Sequence, residues 1–174
     1  MVIRGGKWEM LLTGTFHRAV DEKLRFAIPR EIRDEMKLEE GGVLYIAPGT
    51  DGSLAVYPEP TFSDLANSLS LTSPASNQVR AFSRLFYAQA RRVESDGQGR
   101  IRIPAELAKL AALRREIVLL GVRDHLELWD RESWQHYLSD KQPFYDQIAE
   151  AAFDPDSTET TTPKPQKKGK KQAK

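Results

Sequence analysis

The sequence contains no cysteine. Disulfides, thiolate metal sites and a cysteine nucleophile are therefore excluded, and a reducing, intracellular compartment fits. Histidine is scarce: His17, His125 and His136 are the only three, and no two stand at metal-ligand spacing. The patterns HExxH, GxSxG and GxxxxGK[ST] are missing as well, which removes the metalloprotease, serine-hydrolase and P-loop readings. No apolar run approaches the ~20 residues that span a bilayer. The opening MVIRGGKWEMLLTG lacks the continuous hydrophobic stretch of a signal peptide, so none is expected. Charge of one sign is missing too: 26 Lys and Arg stand against 25 Asp and Glu, a net of +1. That balance hides an asymmetry. Pro163 to Lys174 holds six lysines and no acid, so the remainder carries 26 − 6 = 20 basic residues against 25 acidic ones. If so mildly acidic a body binds nucleic acid, its basic residues must be gathered on one face. With these absences the chain is expected to have no enzymatic activity, cofactor, metal, small-molecule substrate or membrane partner.

What is present is a stretch that occurs twice. Asp21 to Arg33 reads DEKLRFAIPREIR, and Asp96 to Leu107 reads DGQGRIRIPAEL. The two aspartates are 96 − 21 = 75 positions apart and so are the prolines, 104 − 29 = 75. One offset at two landmarks marks a repeat. Two copies are too few for a solenoid. They imply one pseudo-symmetric domain, or two half-domains that complete each other, within the 174 residues.

In the first copy a strand over 15–20, a turn over 21–24 and a returning strand over 25–28 read as a hairpin. Alternation puts Phe26 and Ile28 on one face and Arg25 and Ala27 on the other. On the outgoing strand Phe16 and Val20 are expected to face away from Arg18. Pro29 opens a helix at its first position, where the missing amide costs nothing, and Ile32 and Met36 are its apolar side. Strands over 43–47 and 54–57 follow, then a helix capped by Thr61. Ser73-Pro74 signals another helix, running to Gln89, with Val79, Phe82 and Phe86 on one face and Arg80 and Arg84 on another. The pattern then restarts: a strand over 91–95, the turn from Asp96, a strand with Ile101 and Ile103 inward and Arg102 outward, and a helix from Pro104 that buries Leu107 and either Leu110 or Ala111. Residues 117–121 match 43–47, and 126–129 match 54–57. Gln142 to Phe153 reads as a last short helix. The Thr, Pro, Lys, Gln and Gly composition of the tail cannot bury a core and is expected to be disordered.

The chemistry-bearing residues lie on the hairpins. A two-stranded ribbon fits the DNA major groove, and the outward residues here are basic: Arg18, Lys23 and Arg25 in the first copy, Arg91 or Arg92, Arg100 and Arg102 in the second. Asp21 and Asp96 read as structural, because a carboxylate beside a phosphate is repelled. Arg25 and Arg100 fit either a DNA contact or a pairing with those aspartates. Gly97-x-Gly99 is a turn pair, and Glu39-Glu40 reads as a solvated pair at a helix end. The terminal KKGKK fits non-specific nucleic-acid binding and equally a solubilising tail.

Two copies of D-x-x-x-R-x-x-x-P, joined by RAFSRLFYAQA and followed by Gly121-Val122 before the last strand pair, resemble the MraZ family. These are bacterial transcriptional regulators built from two SpoVT-AbrB-type half-repeats. The resemblance covers about Thr13 to Tyr137. It implies an α+β, β-rich fold in which interleaved hairpins form a double-split, swapped-hairpin β-barrel with short helices, assembled into homo-oligomeric rings. The implied organisation is an arm over 1–13, a first half-repeat over 14–61, connecting helices over 62–89, a second half-repeat over 90–133, a C-terminal helical segment over 134–153 and a lysine-rich tail over 154–174. The resemblance further implies a cytoplasmic, nucleoid-associated protein. It would bind short direct repeats of double-stranded DNA upstream of the division and cell-wall gene cluster, as a repressor. Carried over, the DNA-contacting residues are Arg18, Lys23, Arg25, Arg100 and Arg102, and Asp21, Pro29, Asp96, Gly99 and Pro104 are the structural ones. One position departs from the pattern: the family's turn reads Lys-Gly-Arg, and this chain has Lys23-Leu24-Arg25. Leucine at positive φ costs on the order of 1–2 kcal/mol, so this turn either takes another shape or absorbs the strain. The rival reading is an oligomeric protein-binding scaffold or antitoxin-like module, whose lysine tail alone touches nucleic acid.

Overall fold

In a computed structural model of the chain, the described residues are 10–69 and 76–154, together with the backbone of 3–4, 7–8 and 70–71. The expected Ser73-Pro74 helix start and the tail from residue 155 onward lie outside them. They divide into two compact units, the first ending at His136 and the second starting at Tyr137.

A short ladder of β1 (Ile3–Arg4) and β2 (Lys7–Trp8) precedes the first copy. That copy consists of β3 (Thr15–Ala19), β4 (Arg25–Ala27), α1 (Arg30–Met36), β5 (Val43–Pro48) and β6 (Leu54–Pro58). Two helices intervene, α2 (Glu59–Leu71) and α3 (Asn77–Gln89). The second copy repeats the order as β7 (Arg91–Glu94), β8 (Arg100–Arg102), α4 (Ala105–Leu110), β9 (Glu116–Val122) and β10 (His125–Asp130), followed by α5 (Arg131–Lys141). Pro29 and Pro104 stand one place earlier than the sequence predicts, at the N-cap. Their extended ψ values of 142° and 135° place them outside the helix. Each carbonyl still accepts the first helical bond, from Arg33 and Ala108. Thr61 is not a cap, because α2 already begins at Glu59. The cap of α3 is Ser76, which accepts from the amide of Val79.

The hairpin expected of β3 and β4 does not form. No ladder joins them; β3 pairs with β9, β7 with β5, and β4 with β8. Each half-repeat supplies strands whose partners belong to the other half, so the two halves complete each other and do so pseudo-symmetrically. The main sheet has six strands in the order β3-β9-β10-β6-β5-β7, and β4-β8 is a separate two-stranded sheet. Both sheets are antiparallel. The described strands are not hydrogen-bonded into a closed barrel, since β3 and β7 are the edges of the larger sheet. Exchanging each strand for its repeat partner reverses the six-strand order onto itself. The β4-β8 register puts Phe26 opposite Ile101, 101 − 26 = 75 positions on, so a pseudo-two-fold axis passes through that pair. In the central β6-β10 ladder Ala55 faces Glu127 and plays the same part. The ladders also correct one strand match: Leu44, not Val43, corresponds to Ile117, at an offset of 117 − 44 = 73.

Strand alternation then builds the core. Phe26, Ile28, Ile101 and Ile103 point from the small sheet toward Leu44, Ile46, Leu54, Val56, Ile117, Leu119, Leu126 and Leu128 of the large one, and Ile32, Leu107 and Ala111 close the ends. Leu110 is exposed, which settles the α4 alternative in favour of Ala111. Leu12 docks in the same core, its backbone bonded both ways to Arg123. On the opposite face of the large sheet Tyr45 stacks on Phe62 of α2 at 4.3 Å, and Tyr57 meets Phe86 of α3 edge-on. Phe82 stacks on Phe86 at 5.2 Å but is 46% exposed. In the second unit a 3₁₀ turn over Gln142–Phe144 leads into α6 (Tyr145–Phe153).

The departure at Leu24 has a local cause. Leu24 does adopt the left-handed conformation, at φ 58°, as Gly99 does at φ 70°. The residue 75 positions after Arg33 is Ala108. A Cβ on Gly99 would lie 2.5 Å from Cδ of Arg33, so a side chain there would have to displace the Arg33 side chain that covers the turn. Around the first turn the corresponding helix residue is only Ala108, and Leu24 packs against the core. The strain is therefore accepted in exchange for burial. Gly99→Ala is expected to destabilise the fold by about 1–2 kcal/mol through φ, and to displace the Arg33 side chain as well. In urea titrations the double variant with Arg33→Ala should be less destabilised than the two single changes summed.

Candidate nucleic-acid interface

The two turns are built alike. At the first, the amide of Leu24 donates to the carbonyl of Asp21 (2.9 Å) and the amide of Asp21 to the carbonyl of Arg25 (2.9 Å). The Asp21 carboxylate then accepts from the amides of Lys23 (2.9 Å) and Arg25 (2.8 Å) with Oδ1, and from the Arg25 guanidinium with Oδ2, through Nε and Nη2 at 2.8 Å each. At the second, Asp96 Oδ1 accepts from the amides of Gln98 and Arg100 (2.9 Å each), and Oδ2 from Arg100 Nε (2.8 Å). The motif spacing follows directly: the carboxylate must reach the amides two and four residues ahead, and the arginine at the fourth closes the ring. The turns then cross over, Ile28 donating to Gly99 (3.0 Å) and Ile103 to Leu24 (2.8 Å).

The outward face of the β4-β8 ladder sets Arg25 opposite Arg102 and Ala27 opposite Arg100. Of the two like charges that face each other across the ladder, Arg25 is paired with Asp21 and Arg102 is not. Lys23, at the first turn tip, and Arg102 are exposed and have no ion pair or side-chain hydrogen bond among the described residues. Arg18 is placed differently from its sequence-based expectation. Residues two apart on a strand share a face, so Arg18 lies on the half-buried side with Phe16. Its guanidinium donates to the carbonyls of His17 (2.8 Å) and Ala27 (3.2 Å). Of the second-copy alternatives, Arg91 pairs with Glu106 (3.0 Å) and Arg92 with Glu94 (2.5 Å). The structure thus gathers Lys23, Arg25, Arg100 and Arg102 on one ladder and its turns, with the Arg18 guanidinium bonded to the edge of that ladder at Ala27.

Sequence reasoning missed the residues after α4. Arg114 forks onto Asp130 at 2.6 and 3.0 Å and also meets Glu132 at 2.8 Å. Asp130, 2% exposed, accepts as well from the amides of Glu132 and Ser133 at the start of α5. The Arg114 side chain, followed by the amides, holds the Asp130 carboxyl below the usual carboxylate range. Beside it Arg115 is exposed, and its carbonyl accepts from Val20 just before the first turn (2.8 Å). Asp21, Glu22, Leu24, Arg114 and Arg115 border one shallow hollow. The signal was available in the unequal loops after the two repeat helices, Glu39-Glu40-Gly41-Gly42 against Arg114-Arg115. Among the described residues no cluster of His, Asp and Glu could hold a metal, and no helix is long and apolar enough to cross a membrane.

The amide of Arg25 first, then its guanidinium and the Lys23 amide, lower the Asp21 pKa; Arg100 and Gln98 do the same for Asp96. A depressed folded pKa gives stability that is complete above the ordinary value of 3.8 and is lost as pH falls through the folded value. Thermal melts between neutral and strongly acidic pH should therefore show a shallower acid loss in the Asp21→Asn, Asp96→Asn double variant than in the unaltered chain. Asp124 and Asp130, whose pKa values are lowered too, supply the slope that remains.

Known proteins are similar to this sequence. Residues 86–155 match a family model described as "MraZ protein, putative antitoxin-like". The transcriptional regulator MraZ of Finegoldia magna is 37% identical over 147 residues, spanning 84% of this chain and 99% of that protein. That of Salinispora tropica is 36% identical over 143 residues, spanning 82% and 98%. A solution structure from Pyrococcus horikoshii covers 68% of this chain and 87% of its own, at 14% identity and a TM-score of 0.33, a likeness too weak to equate the folds. Sequence identity over nearly the full length of these relatives, with both Asp-Arg turns in place, establishes that the chain belongs to the MraZ family.

Proposed function

We propose that this chain is a sequence-specific, DNA-binding transcriptional regulator, a repressor, acting as a homo-oligomeric ring on direct repeats upstream of the division and cell-wall genes. The observation that carries the reading is the outward face of the β4-β8 ladder, where Arg25, Arg100 and Arg102 stand beside Lys23. Family membership supports it, because the named relatives are transcriptional regulators. The fold reading that goes with it is the family's double-split barrel, formed by the exchanged half-repeats.

The mechanism is electrostatic grip multiplied by repetition. A single ladder offers few cations that are not already paired with acids, so one subunit binds weakly. A ring repeats the same face, and spaced DNA boxes engage several subunits at once, so effective concentration supplies the selectivity that one subunit lacks. No residue set is assigned a catalytic role, and the proposal places the protein in the cytoplasm, on the nucleoid. The antitoxin-like wording of the family description keeps one other reading in play, a protein-binding module whose tail alone touches nucleic acid.

Deleting Pro163 to Lys174 separates the two. The shortened chain should still prefer the DNA upstream of its own coding sequence over a scrambled duplex. If about six phosphates are neutralised, log K should fall against log salt with a slope near −5. Loss of all binding with the tail assigns the nucleic-acid contact to the lysines, and a slope near −1 removes the electrostatic mechanism.

A further inference from the structure

The backbone is close to two-fold symmetric about the Phe26-Ile101 pair, but the charges around it are not. At the end of the ladder formed by the first turn lie Lys23, Arg25 and Arg102, and Arg115, in the loop after α4, borders the hollow beside that turn with Asp21, Glu22 and Leu24. Symmetry places the loop after α1 against the second turn in the same way. Ser95 donates its amide to Gly42 (3.0 Å) and its hydroxyl to Glu39 (2.5 Å), and the Glu40 carboxylate lies 3.3 Å from where a Cβ on Gly97 would be. Gln98 replaces Lys23 there, and Ala27 replaces Arg102. Lys23, Arg25, Arg102 and Arg115 against Asp21 and Glu22 leave +2 at the first end; Arg33, Arg100 and Arg18, which is bonded to the Ala27 carbonyl, against Asp96, Glu39 and Glu40 leave no net charge at the second.

We infer that the ladder is a polar platform, which takes the DNA backbone at the first-turn end through Lys23, Arg25, Arg102 and Arg115 and turns its second-turn end away from phosphate. This rests on the DNA-binding reading and narrows it. The physical case is the difference in local field between the two ends. A phosphate approaching the first end meets two cations, Lys23 and Arg102, that have no ion pair among the described residues, and a third, Arg115, on the rim. A phosphate approaching the second end meets two exposed carboxylates, Glu39 and Glu40, held beside the turn by the Ser95 bonds. Of the cations there, Arg100 is bonded through its Nε to Asp96, the Arg18 guanidinium donates to the carbonyls of His17 and Ala27, and Arg33 is folded over Gly99 with its Nε buried. Arg115 is the residue the inference adds.

The test is a salt series of binding titrations with the full chain and the duplex upstream of its own coding sequence. Lys23→Gln, Arg102→Gln and Arg115→Gln should each reduce the steepness of log K against log salt by about one, with size-exclusion profile and melting curve unchanged. Gln98→Ala and Glu40→Gln should leave the slope where it was. Equal losses for Gln98→Ala and Lys23→Gln would overturn the polarity, as would marked tightening by Glu40→Gln, which would place phosphate at the second end. Dissociation of the oligomer by Arg102→Gln or Arg115→Gln would make the first end a subunit contact and overturn it as well. If the unaltered chain shows no salt-dependent preference for the upstream duplex, the DNA-binding reading fails and takes this inference with it; if it binds and the two ends respond alike, only the polarity fails.

Discussion

Everything in the first unit depends on the pairing of β4 with β8. Each strand is only three residues long, too short to stand as an isolated ribbon in water. Their stability comes from what the pairing buries: Phe26 and Ile101, 2% and 1% exposed, seal the core at the centre of the pseudo-two-fold axis. Burying a large apolar side chain of this kind contributes roughly 1.5–3 kcal/mol, which a surface ion pair does not approach. The Asp-Arg turns act at a different level. They fix the direction in which the chain leaves β4 and β8, and so decide which residues of the ladder face outward.

The sequence reading recovered the repeat, most strands and helices of its two copies and the turn chemistry, because each is local. Asp21 and Asp96 announce their turns through spacing alone, and Phe26, Ile28, Ile101 and Ile103 announce their face through alternation. It failed where partners are distant. A strand, a turn and a strand look like a hairpin in sequence whether or not the strands pair, and only the ladders show that β3 goes to β9. The Arg18 expectation failed for a simpler reason, since Phe16 and Arg18 share parity. Leu24 was legible as an anomaly and not as a solution, because the solution lies at Ala108, on the other repeat's helix. Arg115 escaped notice because no motif contains it.

The contrast between Leu24/Ala108 and Gly99/Arg33 bears on how the halves diverged. Arg33 of the first repeat's helix covers Gly99 of the second turn, while Leu24 of the first turn and Ala108 of the second repeat's helix belong to the same core. A large residue at the turn goes with a small one on the helix, and the reverse holds across the axis. The same exchange carries the loops after α1 and α4 to opposite ends of the ladder, which is how acidic and basic loops came to sit across one nearly symmetric platform.

The exchange of strands also sets a kinetic condition. Phe16 pairs with Leu119, and Thr15 with Leu120. At roughly 5–20 residues per second, a ribosome needs on the order of ten seconds to deliver the second partner after the first. Throughout that interval β3 and β4 are open edges with no legitimate neighbour. The same half-repeat emerging from an adjacent ribosome carries strands of matching register, so nascent chains that crowd together can complete one another instead of themselves. Faithful assembly is therefore a race between the chain's own second half and a stranger's.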